Sequence, residues 1–360
     1  MHKVKIFPEI KKPNWECPPD LAYAHNLCLL ISKFSMQIAL SGSEHEIFAV
    51  EVEASVEEVS DLKNSDDVFC WLAKTGREKE RSELTARTAF KAVLEDMMVC
   101  IAQSVECARE GKLIPAFILL RKPLEESLII LEEIARNKLA FAKNLEHARN
   151  LIEKSGYGGL AGHVKRVEEV LEVAGLKEVF DATYLVELRY DKNSRDTFYG
   201  ICNKAMHLFT SKTPIATEDM NINLVFSSDD ELETQARYFY SRLSYILVYV
   251  MELLEYVVGS ISSTHVEYVN YQRRRVFSLY LLSCSHVDEH YKESRFDDLC
   301  SFASTWLVND CSANGRNLPQ LKDLEWIALW GCYPDESEGE AQARIDFFNN
   351  FLANSLKDNQ

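Results

Sequence analysis

Glycine and proline are scarce, 13 and 9 in 360 residues, below the average usage of about 7% and 5%. So few turn-formers cannot punctuate the many short strands of an all-β fold, and long helices are favoured instead. Long apolar runs are missing too. Lys33 interrupts the first, Glu252 and Glu255 break the one that starts at Leu243, and none approaches the roughly 20 residues a bilayer span needs. No apolar signal-peptide core follows Met1-His2-Lys3-Val4-Lys5. These absences lead to the expectation of a cytoplasmic protein without membrane association.

Familiar reaction motifs are lacking. The chain has no Gly-rich phosphate loop, no Gly-x-Ser-x-Gly elbow and no Cys/His zinc spacing, so neither a cofactor nor a metal is expected. The 10 cysteines include no Cys-x-x-Cys pair. Several, such as Cys28, Cys100 and Cys107, fall inside apolar periodic runs and read as reduced, buried thiols. A formal net charge of −16 works against indiscriminate binding to phosphate backbones, so any nucleic-acid site has to be local.

What is present is helical periodicity over a chain long enough for two or three units with a substantial core. The sequence predicts an all-α multi-helix bundle with a long central helix. Residues 1–78 form an N-terminal segment, proline-rich at first, with one helix from an Asp20 N-cap to about Leu40 and a short strand at Ile47–Glu53. Residues 79–262 form the central bundle. Its helices start near Leu84, at Ala116 with Pro123 as a bend, at 139–155, at 160–175 and at Ser194–Thr210, and the longest runs from Asp230 to about Ile261, roughly 45 Å at 1.5 Å per residue. Residues 263–360 form a C-terminal helical region, with helices at about 264–292, 296–309, 318–330 and 339–356.

The candidate site lies in Phe198–Phe209, where polar residues are set into an apolar helix. Asn203 and His207 are four apart and, if helical, share a face. Arg121 and Glu125 have the same spacing on the earlier helix that starts at Ala116. They form either an ordinary intrahelical ion pair or, amid so much apolar sequence, a partly buried pair turned towards something specific. A neutral imidazole can take a proton from a ribose 2′-hydroxyl while Asn or a guanidinium steadies the phosphate.

The order of a helix carrying Arg121-Lys122-Pro123-Leu124-Glu125, a later helix carrying Tyr199 through His207 and a long closing helix resembles bacterial proteins of the HEPN-like helical superfamily over about residues 85–260. The resemblance implies a bundle that dimerises so that two motifs form one RNA-cutting site, in a metal-independent ribonuclease of a defence or toxin-antitoxin system. RNA, a second copy of the chain and an antitoxin or other protein would then be the partners. It implies His207 as base, Arg121 and Asn203 as phosphate contacts beside Glu125, and Lys204, Tyr199 and Arg195 as substrate contacts. HEPN ribonucleases carry an Arg four to six intervening residues before the His. The corresponding positions here are Gly200, Ile201 and Cys202. Either Arg121 supplies the guanidinium from the neighbouring helix, or the fold is kept as a non-catalytic interaction or sensor module.

Two further patterns compete. His286-Val287-Asp288-Glu289-His290 has the order of inverted zinc-peptidase motifs, and on a helix both imidazoles would face one side with Glu289 as general base. The same residues also fit a solvated polar helix end. Arg273-Arg274-Arg275, with Tyr268 and Tyr271 just before it, could contact a single RNA strand. Against the acidic balance, pairing with carboxylates of this chain or a partner is the preferred reading.

Overall fold

A computed structural model describes residues 15–145 and 158–355, apart from positions 66, 212, 214, 220, 226 and 263, with side chains to residue 348. The first prolines and residues 146–155 of the helix expected at 139–155 lie outside the described residues. Within them the protein is all-α and contains no strand. The first helix, α1 (Ala22–Glu44), follows a short 3-10 turn, Pro19–Leu21. Asp20 does not cap α1. It lies in that turn and forms an ion pair with Arg237 at 2.6 Å.

The expected strand at Ile47–Glu53 is a loop. Glu46 takes a left-handed conformation (φ 53) and turns the chain back, laying the Phe48 ring over Gly42, where a Cβ would come within 2.5 Å of it. The loop carbonyls, which a sheet ladder would otherwise satisfy, accept hydrogen bonds from arginines: Arg87 donates to Ile47 O and Ala49 O, and Arg77 to Glu53 O.

Two short helices, α2 (Val56–Lys63) and α3 (Val68–Lys74), lead to α4 (Glu78–Arg109), the longest of the described helices at 32 residues. Gly111 (φ 73) ends it. Helix α5 (Leu113–Lys122) runs into a π turn, Pro123–Ser127, where the Leu128 N–H reaches five residues back to Pro123 O. Pro123 has no N–H to give the ordinary ladder, and the wider turn absorbs that loss. Next is α6 (Leu128–Leu145), broken at Asn137 (φ −164, ψ 94), whose Oδ1 accepts from Ala140 N–H. Then follow α7 (Gly159–Val173), α8 (Ala182–Tyr190) and α9 (Phe198–Met206).

The spine is α10 (Asp229–Gly259), opened by a Ser228/Glu231 capping box. Every residue from Phe239 to Leu254 is buried, so this helix is enclosed all round where a three-and-four stripe would bury one face. Helices α11 (Val266–Ser285), α12 (Ser294–Ala313), α13 (Leu324–Trp330) and α14 (Glu338–Ser355) complete the chain. α4 packs against α1, α5 and α6, while α11 packs against α1, α12 and α13. Buried side chains from all three parts of the chain merge into one core, and each fully buried Leu, Phe or Ile contributes about 1.5–3 kcal/mol.

Enclosing the spine places charge inside. Glu132 on α6 is fully buried and accepts from Arg189 Nη1 (2.5 Å) on α8, from Arg166 on α7 and from Tyr249 OH (2.9 Å) on α10. Arg189 Nε also donates to Leu124 O at 2.8 Å, a carbonyl of the π turn. At the other end, Gly331 (φ 59) closes α13 against Tyr271. A Cβ there would meet that ring at 2.4 Å and the Tyr271 carbonyl oxygen at 2.9 Å. Gly331→Ala therefore combines backbone strain with a clash and is expected to lower stability by about 1–3 kcal/mol in urea unfolding.

Candidate functional site

Helix α9 starts at Thr197, whose hydroxyl accepts from Tyr199 N–H at 3.2 Å. Phe198 and Cys202, one turn apart, are buried, and the helix packs on α5. This apolar face, not the polar one, meets the Arg121/Glu125 helix. The pair is an ion pair with Nε–Oε1 at 3.6 Å, its Glu125 side chain 4% exposed and its Arg121 side chain 33% exposed. Burial pushes the Cys202 thiol pKa well up, and the nearby Glu125 charge adds to the rise. A carboxylate-flanked, buried thiol of this kind is a poor nucleophile.

His207 does not share a face with Asn203. It closes α9 in an extended conformation (φ −122, ψ 134), and its side chain is exposed. The Asn203 amide instead donates to Tyr199 O at 2.6 Å, within its own helix. The cause lies in the following loop: Asn223 Nδ2 donates to His207 O at 2.8 Å and Asn223 N–H to Leu208 O at 3.1 Å. These contacts hold His207 in extended backbone, tie Leu208 to the same loop and end the helix at Met206, one residue before the histidine.

The expected substrate contacts fare differently. Arg195 and Lys204 line one pocket of about 330 Å³, together with Thr197 and Tyr238. Tyr199 packs elsewhere, with Lys192 Nζ 5.6 Å from its ring centre. Lys204 also borders a smaller hollow that carries Glu218 and Glu231, so the local charge is mixed.

The zinc-like pattern is not on one helix. His286 closes α11, and Glu289 and His290 sit in a separate 3-10 turn, Glu289–Tyr291. The His286 ring tilts against Tyr23 with its centre 5.2 Å away, and Glu289 pairs with Lys292. Among the described residues no three His, Cys, Asp or Glu side chains are grouped to hold a metal ion.

The basic run turns inward, as its preferred reading held. Arg274 is fully buried, donating to Asp310 at 2.8 Å, to Gly331 O at 2.7 Å and to Tyr333 OH at 3.0 Å. Arg273 pairs with Glu252 and Arg275 donates to Ala328 O.

A cavity of about 380 Å³ lies where the end of α1, the end of α10, the start of α11 and Phe348 of α14 meet. Its walls include Phe34, Ile38, Phe48, Val258 and Tyr268. Glu255 of the spine borders it, and burial raises the Glu255 carboxyl pKa to about 7 although the Arg273 charge opposes this. Sequence reading missed the site. Its one signal was Glu255 itself, which with Glu252 interrupts the apolar run from Leu243 and had served only to exclude a membrane span.

The chain matches no family model, no curated protein and no solved structure. None of its helices, among the described residues, is long and apolar enough to cross a membrane.

Proposed function

We propose that the chain is a non-catalytic helical sensor module that receives a small ligand in the cavity beside Glu255. The cavity is the observation that carries this reading: its volume falls in the usual range for small-molecule sites, its lining is mainly apolar, and a few polar groups converge on it. Its walls come from the N-terminal helix, the spine and the C-terminal region, so a ligand there would tie together distant parts of the chain. The placement of His207 argues the same way. No described residue hydrogen-bonds or ion-pairs with its imidazole, and the Arg121 guanidinium is engaged beside Glu125 on the far face of α9.

The test is thermal unfolding with small apolar probes. A ligand that fits should raise the melting temperature of the wild type, and Ile38→Trp, which fills the cavity from a half-buried position, should abolish the rise. If no apolar probe of any charge binds, the reading fails. In parallel, RNA incubated with wild type or with His207→Ala in the presence of a metal chelator should stay intact in both cases. Cleavage by the wild type that His207→Ala abolishes would restore the ribonuclease reading implied by the HEPN-like resemblance.

RNA binding without cutting is the second reading, favoured by Arg195 and Lys204 lining one pocket. An Arg195→Ala/Lys204→Ala variant should then lose salt-dependent retention of a single-stranded oligonucleotide.

A further inference from the structure

The cavity beside Glu255 has a composition that selects for charge. Four aromatic rings border it: Phe34, Phe48, Tyr268 and Phe348. Phe34, Tyr268 and Phe348 form a continuous wall, with ring centres 6.1 Å apart for Phe34 and Tyr268 and 5.4 Å apart for Tyr268 and Phe348, and Phe48 borders the cavity separately. Aromatic faces carry negative potential and attract cations, most strongly when water is excluded. Glu255 adds a carboxyl group. Among the described residues it has neither a hydrogen bond nor an ion pair, because the nearest cation, Arg273, is bound to Glu252 through both Nε (3.1 Å) and Nη2 (2.6 Å).

The geometry points to a binding site for an organic cation, an amine or quaternary ammonium group on an apolar body, held by the aromatic wall with its charge against Glu255. This inference rests on the sensor reading and sharpens it to one ligand class. An anionic amphiphile of equal length would place its charge against that carboxylate, and a neutral one would leave the carboxyl without a counter-charge. His45 and His265 border the same cavity. Neutral, they leave it open to a cation, and protonated they repel one.

The titration follows from these groups. Glu255 is half-buried, and its carboxyl loses its proton near pH 7, so affinity for a ligand of fixed charge should rise as the pH passes through 7. The groups that face it are His45 at the end of α1, His265 ahead of α11, Tyr268 and Arg273 on α11, and Glu252 on its own helix. Loss of protons from the two histidines would act in the same direction, so variants must separate them.

The experiment uses the full chain and three probes of equal chain length, octyltrimethylammonium, octanol and octanoate, with binding measured calorimetrically at pH 6 and pH 8. The cation should bind at least about tenfold more tightly than octanol at pH 8 and more tightly than at pH 6, with octanoate weakest. Glu255→Gln should cut the preference to what the aromatic wall alone supplies and remove the pH dependence, while His45→Gln and His265→Gln should retain both. Equal binding of all three probes, or a preference undiminished in Glu255→Gln, would overturn the ligand class and leave the sensor reading standing. No binding by any probe would end both. Circular dichroism of each variant confirms that a lost signal is not a lost fold.

Discussion

Glu132→Ala is expected to destabilise the protein by about 3–5 kcal/mol, because it leaves two guanidinium groups in the core without their counter-ion. That is a large part of the 5–15 kcal/mol typical of a folded protein. Arg166 and Arg189 are fully enclosed and Tyr249 OH points at the same carboxylate, so no water is at hand to replace it. Glu132→Gln keeps the volume and one acceptor. A loss of similar size in that variant would show that charge, not packing, is responsible. Urea unfolding followed by circular dichroism measures both.

The pH dependence has a definite sign. Burial works to raise the Glu132 pKa, but the charges of Arg166 and Arg189 outweigh it and hold the carboxyl below its usual value. A carboxyl whose folded pKa is depressed contributes stability above its unfolded pKa, about 4.3, and that contribution is lost as the pH falls through the lower folded value. The gap in stability between wild type and Glu132→Gln should therefore be constant near neutrality and narrow below about pH 4. A gap unchanged down to pH 2 would count against the ion network as its source.

Arg274→Ala has the second largest expected effect, also about 3–5 kcal/mol, since it strands Asp310 and the Gly331 carbonyl in the interior. Arg274 is the tie that joins α11 to α12 and to the segment after α13. Its loss should expose the C-terminal region first, seen as faster cleavage between residues 294 and 348 in limited proteolysis. Arg274→Lys should not rescue, because an ammonium cannot reproduce a fork that reaches a carboxylate, a carbonyl and a phenol while stacking 4.4 Å from the Tyr333 ring centre. Arg273→Ala, at a partly exposed pair, should cost much less.

The contrast between Arg273 and Arg274 illustrates how far the sequence could be read. That the basic run would pair with carboxylates follows from the acidic composition. Which arginine is buried depends on Asp310 and Tyr333, tens of residues away. Fold class was legible because scarce glycine and proline and three-to-four periodicity are local signals. The spine was found as a helix, but its enclosure on all sides was not, since Arg242 and Glu252 look like solvent-facing positions until their partners Asp196 and Arg273 are in place.

The end of α9 shows the same limit. Nothing between Phe198 and His207 says that the helix stops at Met206. The instruction comes from Asn223, 16 residues on. The cavity was harder still, its walls drawn from residues 34–48, 255–268 and 348, which no local pattern brings together. Arg195 and Lys204, named in the sequence only as substrate contacts implied by the resemblance, line one pocket because a single short helix and the turn before it set their separation.

The π turn at Pro123 has a consequence for insertions and deletions. Successive residues of an α-helix are offset by about 100°, at 3.6 per turn. Deleting one residue from Pro123–Ser127 would let the chain rewind into regular helix but rotate everything beyond it by that angle relative to α5. Glu132 would then swing away from Arg166 and Arg189, and the Leu124 carbonyl would return to the helical ladder instead of meeting Arg189. Substitutions within this turn should be tolerated far better than any change in its length, so its residue count, more than its residue identities, is what descendants of this chain have to keep.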